Sequence, residues 1–193
     1  MRNPSKGFDF TIAVRSICAD MAARLPELAH IRMPRVAVGV RRSRTPGAYG
    51  VFATLTPLRF RHGQSAQLLR GRRWRIEPLV DAAGREFLYL LSFYLPRFLD
   101  LPLEEKLSTI VHELWHIGPE FDGDLRRHAG RCYAHGGSQR KYDAQMDRLA
   151  QRWLAADPPH VLYDFLASRF DELRAEHGVI HGQRWRTPKL VTC

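Results

Sequence analysis

The sequence predicts an α+β fold: a small, mainly antiparallel sheet packed beside one well-marked helix, with further helices toward the C-terminus. Three observations predict it. The first half holds short apolar segments of strand character separated by turn signals, the middle holds a sharply bounded amphipathic helix, and the last third reads as two more helices. The chain has 193 residues, 45% of them hydrophobic, enough for a sizeable core. It reads as a single domain, 1–193, whose last stretch, 178–193, is a basic tail.

In chain order, Phe10–Leu25 has helical spacing of Ile12, Ile17, Met21 and Leu25, and Pro26 stops it. Arg35–Ser43 alternates Val36, Val38 and Val40, a strand pattern. Thr45–Gly47 is a turn, and Tyr49–Phe60 is a second strand candidate interrupted at Pro57. The Arg-rich stretch Arg59–Arg75 reads as a loop. Trp74–Val80 is a short strand and Glu86–Leu95 a strongly apolar one. A helix then begins at Pro102, with Glu104 and Glu105 at the positive end of its dipole and Gly118–Pro119 as its stop. Ser138 opens another helix that ends at Asp157–Pro159, and Val161–His177 is expected to be a further one.

Composition narrows the classes. No apolar run reaches the roughly 18–20 residues a membrane helix needs, and the N-terminus lacks the pattern of a secretory signal. Three widely spaced cysteines, Cys18, Cys132 and Cys193, form neither a disulfide framework nor a metal knuckle. A reducing, cytoplasmic setting is expected. The net charge is +10. Arginine codons in a GC-rich genome account for such a balance without function, and a DNA or RNA partner accounts for it with one. Segments 41–44 and 59–75 are the candidate contact surface, since Phe60 and Trp74 lie among their arginines.

The chemistry concentrates in His112–His116, "HELWH". His112 and His116 are i and i+4, so both imidazoles leave one helix face within reach of one Zn²⁺ ion. Glu113 is placed to act as general base on the ion's water, which zinc binding makes acidic. Two histidines four apart also arise with no chemistry attached. Against that stand the apolar flanks, which give a buried carboxylate and two imidazoles no other reason to be there, and the helix stop right after His116. A catalytic zinc needs a third protein ligand. His135 and His128 are the candidates, with Glu120, Asp122 and Asp124 as weaker carboxylate options. His135 is preferred because it precedes the helix opened by Ser138 with two glycines behind it, whereas His128 sits among charges in "DLRRH". The HExxHxxGxxH pattern is not met, because Gly118 falls one residue early.

The order of elements over about Arg35–Leu154, closing on "IVHELWHI" and a later His-Gly-Gly, resembles the SprT-like (Spartan-type) zinc metallopeptidases and related phage metallopeptidases. The resemblance implies a zincin-like domain, zinc held by His112, His116 and His135, and Glu113 as general base. It implies hydrolysis of protein or peptide substrates, of the kind associated with nucleic acid. The chain departs from the family in lacking a C-terminal zinc ribbon, which Cys132 and Cys193 cannot build, and in the longer gap between His135 and the next helix. A nucleic-acid-binding protein with a structural or degenerate zinc site is the alternative function. Tyr133, Tyr142 and Arg131 are candidate oxyanion donors, Trp115 belongs to the core face, and Tyr49–Thr56 is a candidate edge strand for an extended substrate.

Overall fold

The computed structural model describes residues 7–43, 50–127 and 139–193. Its first helix, α1 (Phe10–Arg24), follows a two-residue strand, β1 (Phe8–Asp9), and is capped by Asp9, whose Oδ1 accepts the Ile12 amide at 3.0 Å. Phe10, Val14, Ile17, Cys18 and Met21 form its buried stripe. Ile12, expected on that face, lies on the solvent side at 66% exposure, because the stripe runs through Phe10 and Val14 instead. Leu25, extended before Pro26, ends the helix.

The central sheet has the order β2 (Val36–Arg42), β6 (Tyr89–Leu95), β3 (Ala53–Pro57). β2 pairs with β6 in parallel from Val36↔Tyr89 to Arg42↔Leu95, and β3 pairs with β6 antiparallel. A second, antiparallel sheet joins β4 (Ala66–Leu69), β5 (Arg72–Ile76) and β8 (Leu190–Thr192), while β1 runs parallel to β7 (Ile180–His181). The fold is thus mixed α and β; in place of the expected mainly antiparallel sheet there are three small sheets among the described residues, and in the central one the longer ladder, β2–β6, is parallel. Part of the Arg59–Arg75 stretch, expected as loop, is the β4–β5 hairpin. Arg70 (φ 50°) and Gly71 (φ 75°) form its two-residue turn, where positive φ at both positions matches the strand twist.

Three α-helices complete the fold: α2 (Leu103–Trp115), α3 (Gln139–Ala155) and α4 (Phe170–His177). The main core gathers the α1 stripe, Val36 and Val38 of β2, Leu91 and Phe93 of β6, and Leu107, Ile110 and Leu114 of α2. α3 closes it with Tyr142, Met146, Leu149 and Trp153. The expected helix Val161–His177 breaks at Ser168–Arg169, which are extended. The reason lies in α2: the buried Lys106 ammonium donates to Leu166 O at 2.7 Å and Ser168 O at 2.9 Å, taking carbonyls that a continuous helix would have used. The basic segment 178–193 is paired into the sheets through β7 and β8, and Trp185 covers the far face of β2. No described helix is long and apolar enough to cross a membrane.

Candidate active site

α2 carries the HELWH residues in its last turn. Glu104 and Glu105 lie in the first turn, and His116 is the C-cap. The helix stops because the chain reverses at once. Ile117 bridges Leu125 antiparallel, the Gly118 amide donates to Asp124 O at 3.3 Å, and the Arg126 amide donates to His116 O at 2.7 Å. Glycine is required here by space: a Cβ on Gly118 would lie 2.9 Å from Asp124 O. Tyr89 ties this turn to β6, its hydroxyl donating to Asp124 O at 2.9 Å and accepting the Gly123 amide at 3.0 Å.

The i, i+4 spacing sets the two imidazoles side by side, with ring centroids 4.7 Å apart and planes at 77°. Tyr142 of α3 lies against both, at 5.0 Å from the His112 ring and 6.2 Å from the His116 ring. Glu113 is buried between α2 and the sheet edge. Burial pushes its carboxyl up to about 7, opposed by a hydrogen bond from the Leu55 backbone of β3. Burial, and next the charge of Glu113, raise the Tyr142 hydroxyl well above its ordinary range, so it stays protonated and able to donate. Arg126 stacks over the Trp115 ring at 4.1 Å and donates from Nε to Trp115 O at 2.8 Å, closing the end of the helix.

A cleft of about 560 Å³ opens beside these residues, with the Gly50–Ala53 backbone on one side, Ser108, His112 and Glu113 on its floor, and Asp143, Met146 and Asp147 of α3 opposite. β3 is an outer strand of its sheet, and its first residue, Ala53, borders the cleft together with the non-strand segment 50–52 that leads into it.

His112, Glu113, His116 and Tyr142 therefore come together. His128, the preferred third ligand His135, and Arg131, Cys132 and Tyr133 lie outside the described residues. Among the described residues no group of three His, Cys, Asp or Glu side chains is placed to hold a metal ion. The carboxylate options turn elsewhere. Asp124 is taken by Arg127 (2.8 Å), the His62 amide and the Leu125 amide, Asp122 accepts the Asp124 amide, and Glu120 is exposed. Trp115 faces the core, as its helical position predicts. Sequence reasoning did not find Arg126, Asp143 or the Leu55 amide. Their placement depends on the reversal after His116 and on α3 and β3 packing against α2, for which no local pattern exists.

No family model, curated protein or solved structure matches the chain.

Proposed function

We propose that the chain is a zinc-dependent metallopeptidase of zincin type, acting on peptide bonds of protein substrates. One observation carries the reading: two adjacent imidazoles on one helix face with a buried carboxylate between them in sequence, beside an open cleft that the carboxylate and His112 line. The donor set fits zinc, since neutral imidazole nitrogens are its common ligands and the glutamate is left for proton transfer. His112 and His116 would hold the ion, with a third ligand from the segment between Arg127 and Gln139, His135 by preference. A bound zinc ion supplies an acidified water and Lewis-acid stabilisation of the charge that develops on the substrate carbonyl. Glu113 accepts the proton of the attacking water and returns it to the leaving amine nitrogen. Its burial favours this exchange, because a carboxylate raised toward neutrality both takes and gives a proton at ordinary pH. Tyr142 is buried against the two imidazoles, edge-on to His112 and near parallel to His116, and keeps its hydroxyl proton. Gly50–Ala53 forms the side of the cleft along which an extended substrate would lie.

Metal content tests the reading: one zinc per wild-type chain, lost in His112→Ala and in one only of His128→Ala and His135→Ala. Zinc-free protein after reconstitution would overturn it. The second reading, a nucleic-acid-binding protein with a structural zinc site, is favoured by the exposed Arg72, Arg73 and Arg75 beside Trp74 on β5. A purely structural site gives no role to Glu113, which favours the enzyme.

A further inference from the structure

A second cavity, of about 520 Å³, adjoins the HExxH cleft, and Val51 lines both. Its walls carry Arg41, Arg42, Arg97 and Arg184, with Tyr94 and Trp185. Among the described residues no carboxylate lines it. Its arginines come from three distant segments: the end of β2, the turn after β6, and the C-terminal segment. A run of exposed arginines in sequence needs no explanation beyond solvation. Arginines brought to one cavity by the fold do, because like charges gathered around one space repel and the repulsion is relieved by an anion.

The site is also built. Arg97 is only 8% exposed, and its Nη1 donates to Val51 O at 3.2 Å, against the same backbone that borders the active cleft. Arg41 is held by neutral partners, Thr187 Oγ1 at 2.9 Å and Ser92 Oγ at 3.4 Å, which orient its guanidinium without cancelling its charge. None of the ion pairs among described residues uses Arg41, Arg42 or Arg184. Arg41, Arg42 and Arg184 also line a further cavity that holds Asp100 and Asp171, and these two carboxylates are ion-paired to Arg169 at 3.9 Å and Arg174 at 3.2 Å.

We propose that this cavity is a substrate subsite that takes an acidic stretch, aspartate or glutamate side chains, on the same peptide that crosses the HExxH cleft. The guanidinium fork binds carboxylates in pairs of parallel hydrogen bonds, which gives such a subsite direction as well as charge. The two cavities share Val51, so a peptide that passes this residue reaches both, which makes a peptide chain the fitting ligand. The identity of the ligand as a peptide rests on the metallopeptidase reading; the anion site does not.

The test uses the full chain carrying Glu113→Gln, so that binding is measured without turnover. Fluorescence anisotropy compares a labelled peptide with a glutamate run at one end, its glutamine counterpart, and a labelled single-stranded oligonucleotide. The glutamate peptide is expected to bind tighter by about tenfold or more, the worth of one or two charged hydrogen bonds. That preference should collapse in Arg42→Gln/Arg184→Gln, whose exposed positions leave folding intact, and survive in Arg72→Gln/Arg73→Gln on the other sheet. Equal binding of the two peptides overturns the proposal. So does a preference that survives Arg42→Gln/Arg184→Gln, or arginine-dependent binding of the oligonucleotide alone. A wild type that hydrolyses no peptide, while the Arg42- and Arg184-dependent preference holds, sustains the subsite and overturns only the peptidase reading.

Discussion

Glu113 and Lys106 lie on one helix, and both are ionisable groups buried for opposite ends. Glu113→Gln keeps an oxygen for the Leu55 amide, so fold and metal content should be unchanged while peptide hydrolysis falls by about 10²–10⁴-fold, the usual worth of a general base. Metal analysis beside a peptide-cleavage assay checks this, and a variant that loses its metal would recast Glu113 as a structural group. Lys106 gives a pH prediction. Burial lowers its ammonium from 10.5 to about 8. Below pH 8 the amine is charged in folded and unfolded chains alike, and the full cost of burying that charge is present. Between about 8 and 10.5 the unfolded chain still binds a proton that the folded chain has released, so stability from this group rises with pH. Wild type should therefore gain on Lys106→Met in denaturant midpoint between pH 7 and pH 10; a difference flat across that range would refute it. The residue-scale chemistry was legible where it is local. His112, Glu113 and His116 are set by i, i+4 geometry alone, whereas Leu55 and Arg126 reach the site only through tertiary contacts.

At the scale of elements, the boundaries read from the sequence hold where a local signal sets them: Pro26 for the end of α1, and the Gly118–Pro119 stop for α2. They fail where a partner decides. The β4–β5 hairpin hid in an arginine run, although Arg70–Gly71 before the next strand was a turn signal. The break at Ser168 needed a lysine more than sixty residues earlier in the chain, and the parallel pairing of β2 with β6 has no sequence signature at all. The reversal after α2 is the element most exposed to test. A methyl group at position 118 meets the Asp124 carbonyl, a backbone atom that cannot swing aside. Gly118→Ala should cost about 1–3 kcal/mol, the usual range for overpacking, and weaken metal binding, because the strand it displaces is anchored to His116 O. Chemical denaturation and a zinc titration read the two effects. Loss of stability with unaltered zinc affinity would show that the turn supports the fold but not the site.

At the scale of the whole molecule, the basic C-terminal stretch acts as a strap. β2 is buried on both faces: Val36 and Val38 meet the main core, and Ala37 with Gly39 meets the returning chain. The smallness of Ala37 and Gly39 within "VAVGV" is the sequence's trace of that contact. A Cβ on Gly39 would lie 2.6 Å from Trp185 Cδ1. Trp185 also meets Phe87 edge to face at 5.4 Å and donates from Nε1 to Val38 O at 2.9 Å. The strap thus links the second sheet, through β8, to the sheet that borders the HExxH cleft, and it supplies Arg184 to the arginine-lined cavity. Trp185→Ala should lower stability by about 2–4 kcal/mol, at or below the range for a fully buried tryptophan because the ring keeps some solvent contact. It should also raise the rate of limited proteolysis within 178–193. Trp185→Phe keeps the ring packing but not the Nε1 donor, so it should recover most of the stability. If Trp185→Ala melts with the wild type and resists proteolysis as well, the strap is an accessory to the sheets, and the arginine cavity must hold its shape without it.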